Sequence, residues 1–250
     1  MGIIDLVNKK SHRADKWLSA SSLVADHRRI LSPEDSEYPV LLASHSWSPS
    51  ILMAYGAPVD NSTQHVAVIG TRNPTDSGKI ATEEIAKCIA ERNAVVVSGM
   101  ADGIDKIAHR SAILNGGKTI AVLGMGITAA FKLGNFGIMK GIARNGTVLS
   151  QFDAAQSPTK TTFPARNVIV AGMSDAILAV EMNERSGTRI TIEIAIEMGR
   201  PVFLWHPILG MQKWAHDLVD SNECVRFISS VEEALIAIRN KGDLNGSTCN

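Results

Sequence analysis

Six short apolar runs rich in β-branched residues recur, about one helix apart, from residue 65 onward: HVAVIG, AVVVSG, TIAVLG, TVLSQF, AILAVE and PVFLWH. The segments between them have helical spacing: SGKIATEEIAKCIAER, GIDKIAHRSAILNGG, NFGIMKGIARNG, ARNVIVAGMS and GTRITIEIAIEMGR. Strands without a polar side must be covered on both faces, and the intervening helices supply the cover. Right-handed crossovers then give an α/β fold, a doubly wound, mostly parallel, Rossmann-like sheet. A chain of 250 residues can bury one such domain and a small appendage. The expected organisation is an N-terminal lead-in over residues 1–60 that packs on the main domain. The Rossmann-like domain follows over 61–240, and a polar, flexible tail over 241–250.

In such a sheet, ligands collect beyond the C-terminal ends of the strands. The first regular strand ends in Gly70-Thr71-Arg72 and leads through Pro74 and Gly78 into a helix. A small-residue loop feeding a helix N-terminus presents unpaired backbone N–H groups, and Arg72 adds a forked cation, which together suit a phosphate or another anion. Further strand ends carry Ser98-Gly99 with Gly103 close behind, Gly124-Met125-Gly126, and the stretch from Glu181 to Ser186-Gly187-Thr188-Arg189. Arg166-Asn167 opens the fourth predicted helix, where a cation gains nothing from the helix dipole and so calls for an anionic partner.

Several chemistries are excluded. LGMGITA fits a dinucleotide fingerprint on paper, but it follows the third strand instead of the first, and no acidic residue stands at the required remove. Asp102 reads as a helix cap, and Asp105 with His109 as a pair on one helix face. Cys88, Cys224 and Cys249 have no disulfide or metal-ligand spacing, which suits a reducing cytoplasm, and no Cys/His cluster suggests a metal. No signal peptide or membrane-spanning run is evident. Twenty-five basic residues balance 25 acidic ones, so contact with nucleic acid requires a local patch.

VAVIGTRNPTDSG, VVSGMADGIDKIAHRSAILNGGKTIAVLGMGI, FPARNVIVAGMSDAILAVE and SGTRITIEIAIEMGRPVF, in that order, resemble the successive blocks of the DNA-processing protein A family (DprA, also called Smf). EYPVLLASHSWSPSILMAYG is similar to the YP-containing segment that precedes them, and the resemblance runs from about Tyr38 to Phe203. It implies a cytoplasmic, homodimeric, single-stranded DNA-binding protein that loads the recombinase RecA during DNA uptake (natural transformation) and recombination. It implies no enzymatic activity, metal or cofactor. By match to the family's blocks, Arg72 holds a phosphate over a floor of Gly70, Thr71, Ser98, Gly99 and Gly103. Arg166, Asn167, Ser186, Gly187 and Thr188 complete the site, with Phe163 and Phe131 as candidates for base contact.

The chain departs from the pattern at Val168 in place of the second arginine of RNR, at Phe131-Lys132 in place of a tyrosine-proline, at Gln151 and at His206-Pro207. No counterpart of the flanking helical and winged-helix domains of many members is expected. Two alternatives use the same crevice: a module that senses a small nucleotide without turnover, and a nucleotide phosphoribohydrolase with Glu193 as its acid.

Overall fold

A computed structural model describes residues 28–243. Its strands are β1 (Arg28–Leu31), β2 (Leu52–Gly56), β3 (His65–Ile69), β4 (Val95–Ser98), β5 (Thr119–Val122), β6 (Thr147–Ser150), β7 (Ala176–Ala179), β8 (Val202–Trp205) and β9 (Val225–Ile228). The longer helices are α1 (Asp76–Glu91), α2 (Ile104–Leu114), α3 (Phe136–Ala143), α4 (Thr162–Met173), α5 (Gly187–Glu197), α6 (Lys213–Asp220) and α7 (Val231–Asp243). The strands form one sheet in the order β1-β2-β6-β5-β4-β3-β7-β8-β9. Pairing is parallel from β6 through β9, and β1 and β2 add antiparallel at the other edge. The six apolar runs are β3 to β8, so the doubly wound α/β reading holds. Strands β1 and β2, from within the lead-in, extend the same sheet past β6, and β9 closes the far edge.

Period-two alternation divides each strand between two cores. Val66 and Val68 face α1 and α2, where Ile85, Ile89, Ile104 and Ala108 pack against them. Ala67 and Ile69 face the other way, onto Val168 and Ile169 of α4 and Ile192 of α5. Helix α1 starts where Thr75 caps it, the Oγ1 accepting from the Gly78 amide at 3.1 Å, with Asp76 in the first turn.

Two boundaries differ from the sequence reading. Helix α4 begins at Thr162, because Pro164 falls in its first turn, where its missing N–H would have no intrahelical partner anyway. Arg166 therefore lies one turn inside the helix and is buried. Helix α7 runs through Asp243, and residues 244–250 of the expected tail lie outside the described residues.

The strand order places the site. From β3 the chain winds outward through β4, β5 and β6, and then returns to β7 on the opposite side of β3. Connections leaving β3 and β7 therefore diverge to opposite faces, opening a crevice beyond their carboxyl ends.

Candidate functional site

A cavity of about 290 Å³ occupies that crevice. Gly70, Thr71 and Arg72 form its β3 wall, and Ser186, Gly187 and Thr188 its β7 wall. Gly99, Arg166 and Asn167 line it from the β4 and α4 sides. Nine of the eleven residues expected from sequence thus share one cavity. Ser98 and Gly103 lie just outside its lining. The Ser98 hydroxyl is buried and donates to the Val68 carbonyl at 2.7 Å, tying β4 to β3. Gly103 has φ +82° and sits against the Thr71 and Arg72 carbonyls, where any side chain would collide. Both residues shape the walls from behind.

The two arginines play different parts. Arg72 is exposed, its guanidinium 5.3 Å from the centroid of the Phe163 ring, a cation–π arrangement that leaves the fork open to the cavity. Arg166 is only 6% exposed. Its Nη1 donates to the Val122 carbonyl at 3.0 Å, its Nε is unpartnered, and among the described residues it makes no ion pair. Its guanidinium passes over Gly99 so closely that a Cβ there would overlap it. Burial, reinforced by the like charge of Arg72 and opposed by Asp105, holds Arg166 below the ordinary arginine value. Two guanidiniums facing one small cavity suit an anion, with the buried Asp105 carboxylate in the same lining as an opposing charge.

Asp105 and Asp102 correct the sequence reading. Asp105 is buried and lines the cavity, its Oδ2 accepting from the Gly99 and Ala101 amides at 3.2 and 3.3 Å. It therefore pins the β4–α2 loop and has no partnership with His109, whose Nδ1 meets Thr119 Oγ1 at 2.6 Å. Burial raises the Asp105 carboxyl above its usual range, against the pull of Arg166 and of its hydrogen bonds. Asp102 caps nothing: the N-cap position belongs to Gly103, and Asp102 pairs instead with Lys106 at 2.7 Å. The sequence clue for Asp105 was its place two residues after Gly103, on the first turn of a helix that starts at a strand end.

Several other groups hold the crevice in shape. The Glu181 carboxylate accepts from the Thr75 amide and hydroxyl, each at 3.0 Å, and Glu181's own carbonyl accepts from the Thr71 amide at 2.7 Å. Thr188 Oγ1 donates to the Gly70 carbonyl at 3.0 Å, closing the gap between the two walls. Asn167 donates to the Gly187 carbonyl at 3.4 Å. Gly187 and Thr188, the first residues of α5, line the cavity beside Ser186, whose buried Oγ has no partner. Glu193 lies elsewhere, paired with Arg189 at 3.1 Å on the exposed side of α5. Phe131 packs on Tyr55, 5.5 Å between centroids, away from the crevice lining. No group of three or more metal-ligating side chains occurs among the described residues, and no helix there is long and apolar enough to cross a membrane.

The sequence profile of the family described as DNA recombination-mediator protein A matches residues 29–237. The chain belongs to that family. It is 38% identical to the DNA processing protein DprA of Streptococcus pneumoniae over 172 residues, 68% of this chain and 60% of that one. It is 37% identical to Protein Smf of Synechocystis sp. over 179 residues, 70% of this chain and 45% of that one. The chain thus matches about half the length of these curated relatives. Its fold superposes on the crystal structure of S. pneumoniae DprA with a TM-score of 0.74, at 33% identity over 85% of this chain and 75% of the other. A Helicobacter pylori DNA processing protein A, studied for its single-stranded DNA binding mode, superposes with a TM-score of 0.71 at 25% identity, over 86% of this chain and 96% of the other. A molybdenum cofactor carrier protein from Chlamydomonas reinhardtii shares the fold alone, with a TM-score of 0.52 at 20% identity over 71% of this chain and 97% of the other. The S. pneumoniae and H. pylori relatives are named for DNA processing.

Proposed function

We propose that the crevice between β3 and β7 grips the sugar–phosphate backbone of single-stranded DNA, and that the protein acts by binding, without catalysing a reaction. The observation that carries this reading is the convergence of Arg72, the buried Arg166 and the N-terminal residues of α5 on one cavity, with Arg166 making no ion pair among the described residues. A single strand offers both things the cavity is built for: phosphates for the guanidiniums and amides, and an unpaired base for the Phe163 ring beneath Arg72. A related H. pylori protein is described as binding single-stranded DNA, which supports the same ligand here. Since formal charge is balanced over the whole chain, attraction to the strand is local to this sheet edge. Handing the coated strand to the recombinase RecA, as a cytoplasmic homodimer, completes the reading; what supports that part is membership of a recombination-mediator family.

Fluorescence anisotropy with labelled oligo-dT tests the reading. Affinity falls as salt rises, and Arg72→Ala weakens binding by about 1.5–3 kcal/mol, the cost of removing a charge-assisted hydrogen bond. Absence of binding at low salt, together with a mononucleotide raising the melting temperature, would replace this reading with nucleotide sensing.

A further inference from the structure

In a chain with as many acids as bases, the 47 residues from Lys106 through Phe152 would carry about five acidic residues; they carry none. The same stretch holds Lys106, Arg110, Lys118, Lys132, Lys140 and Arg144. Charge balance over the whole chain therefore conceals a one-sided distribution, and the fold gathers part of that side onto one surface.

Helix α2 starts at the crevice, where Asp105 in its first turn and Ala101 just before it line the cavity. Lys106, Arg110 and Leu114 follow at four-residue intervals and so share one stripe leading away from the cavity over about 16 Å of helix. Arg110 is exposed, and Leu114 at the far end is 85% exposed. Helix α3 packs alongside, the Ile113 side chain lying against Gly141. It presents Phe136, 40% exposed, with the Lys140 ammonium 5.8 Å from the ring centroid. Lys132 and Leu133, also exposed, continue the surface at the kink before α3.

Two of the six cations are already engaged. Lys118 pairs with Asp60 at 3.0 Å, and Lys106 with Asp102 at 2.7 Å. Asp102 also lies in the fields of Arg72 and Arg110 and is 78% exposed, so it can swing aside when a phosphate arrives. Along α2 and α3 themselves, cations alternate with exposed apolar side chains and no carboxylate intervenes after Asp105, while the neighbouring α1 brings exposed Glu83 beside Ser111. That pattern suits a flexible polyanion carrying flat apolar groups.

We infer that the α2–α3 face is a second binding track, along which a single strand held in the crevice continues outward, its phosphates on Arg110 and Lys140 and a base against Phe136. This rests on the reading of the crevice above. The strand is favoured over an acidic protein partner because the stripe is continuous with the cavity wall.

Anisotropy with oligo-dT of about 6 and about 20 nucleotides separates the two levels, since the shorter fits the crevice alone. The double variant Arg110→Gln/Lys140→Gln, whose changes are both at exposed positions, is compared with wild type and with Arg72→Ala. The double variant is expected to bind the long oligonucleotide about tenfold more weakly, with a salt slope reduced by about 0.7 for each phosphate no longer neutralised, and the short one as wild type does. Unchanged affinity and salt slope for the long oligonucleotide would overturn the track, and the extra affinity of long strands would then lie elsewhere. Equal weakening of both lengths would overturn it too, since the substitutions would be acting on the crevice. If Arg72→Ala weakens both lengths while the double variant weakens neither, the crevice reading stands and the track falls. If wild type binds neither length, both fall together.

Discussion

Gly99 is fixed by its neighbour rather than by its backbone angles. The space a methyl group would take there is filled by the Arg166 guanidinium. Gly99→Ala must therefore displace a buried cation or shift the β4–α2 loop, at a cost of about 1–3 kcal/mol in stability. Oligo-dT binding by that variant is expected to fall at least as far as in Arg72→Ala, with a lowered melting temperature. Gly187 supplies the contrast, since a Cβ there meets nothing within 4 Å, and Gly187→Ala is expected to melt as wild type does. Thermal melts of the two variants side by side check both statements. From sequence, both glycines read alike, as permissive residues near a ligand. Only packing distinguishes a glycine that accommodates an arginine from one that faces open space.

At the scale of elements, the two ends of the hydrogen bond between α2 and β5 are a buried imidazole and a buried hydroxyl. Thr119 Oγ1 donates to the Val96 carbonyl at 2.8 Å, so it must accept from His109 Nδ1–H, and a proton on the buried, unpartnered Nε2 would have no acceptor, which keeps His109 neutral. Burial first, and Arg166 second, push the imidazole down to about 3. The native state thus refuses a proton that the unfolded chain binds below about 6.5, so the unfolded state carries more protons and stability declines as pH falls from about 6.5 toward about 3. Between about pH 7 and pH 5 this amounts to about 2 kcal/mol. His109→Gln, which cannot titrate, is expected to lose that part of the pH slope in urea denaturation; an unchanged slope would show that His109 titrates normally.

Elements were legible in the sequence to different degrees. Strands β3 to β8 announced themselves because central strands of a parallel sheet are apolar on both faces. Edge strands β1 and β9 did not, since RRIL and VRFI mix charge with apolar residues, as an edge demands. Asp105 was missed for a related reason. Its spacing to His109 fits a helix-face pair, but the tight loop at Gly99 and Ala101 draws the carboxylate back to the crevice and leaves His109 to Thr119. Helical spacing reports which residues share a face, not which loop folds back against it.

At the scale of the molecule, one topological event assembles the site: the return of the chain to β7 beside β3 after three strands laid down on the other side. It brings together segments more than 100 residues apart, such as Gly70 and Thr188, which no local pattern could pair. Their common fate was legible only as several small-residue strand ends in one doubly wound sheet, and through the collinear family blocks. Whether the crevice holds the strand is decided by a crystal structure of the protein with bound oligo-dT. A phosphate is expected in the β3–β7 crevice within hydrogen-bonding reach of Arg72 and the buried Arg166, with a base against Phe163. A strand bound elsewhere on the surface, with the crevice holding no phosphate, would refute the assignment.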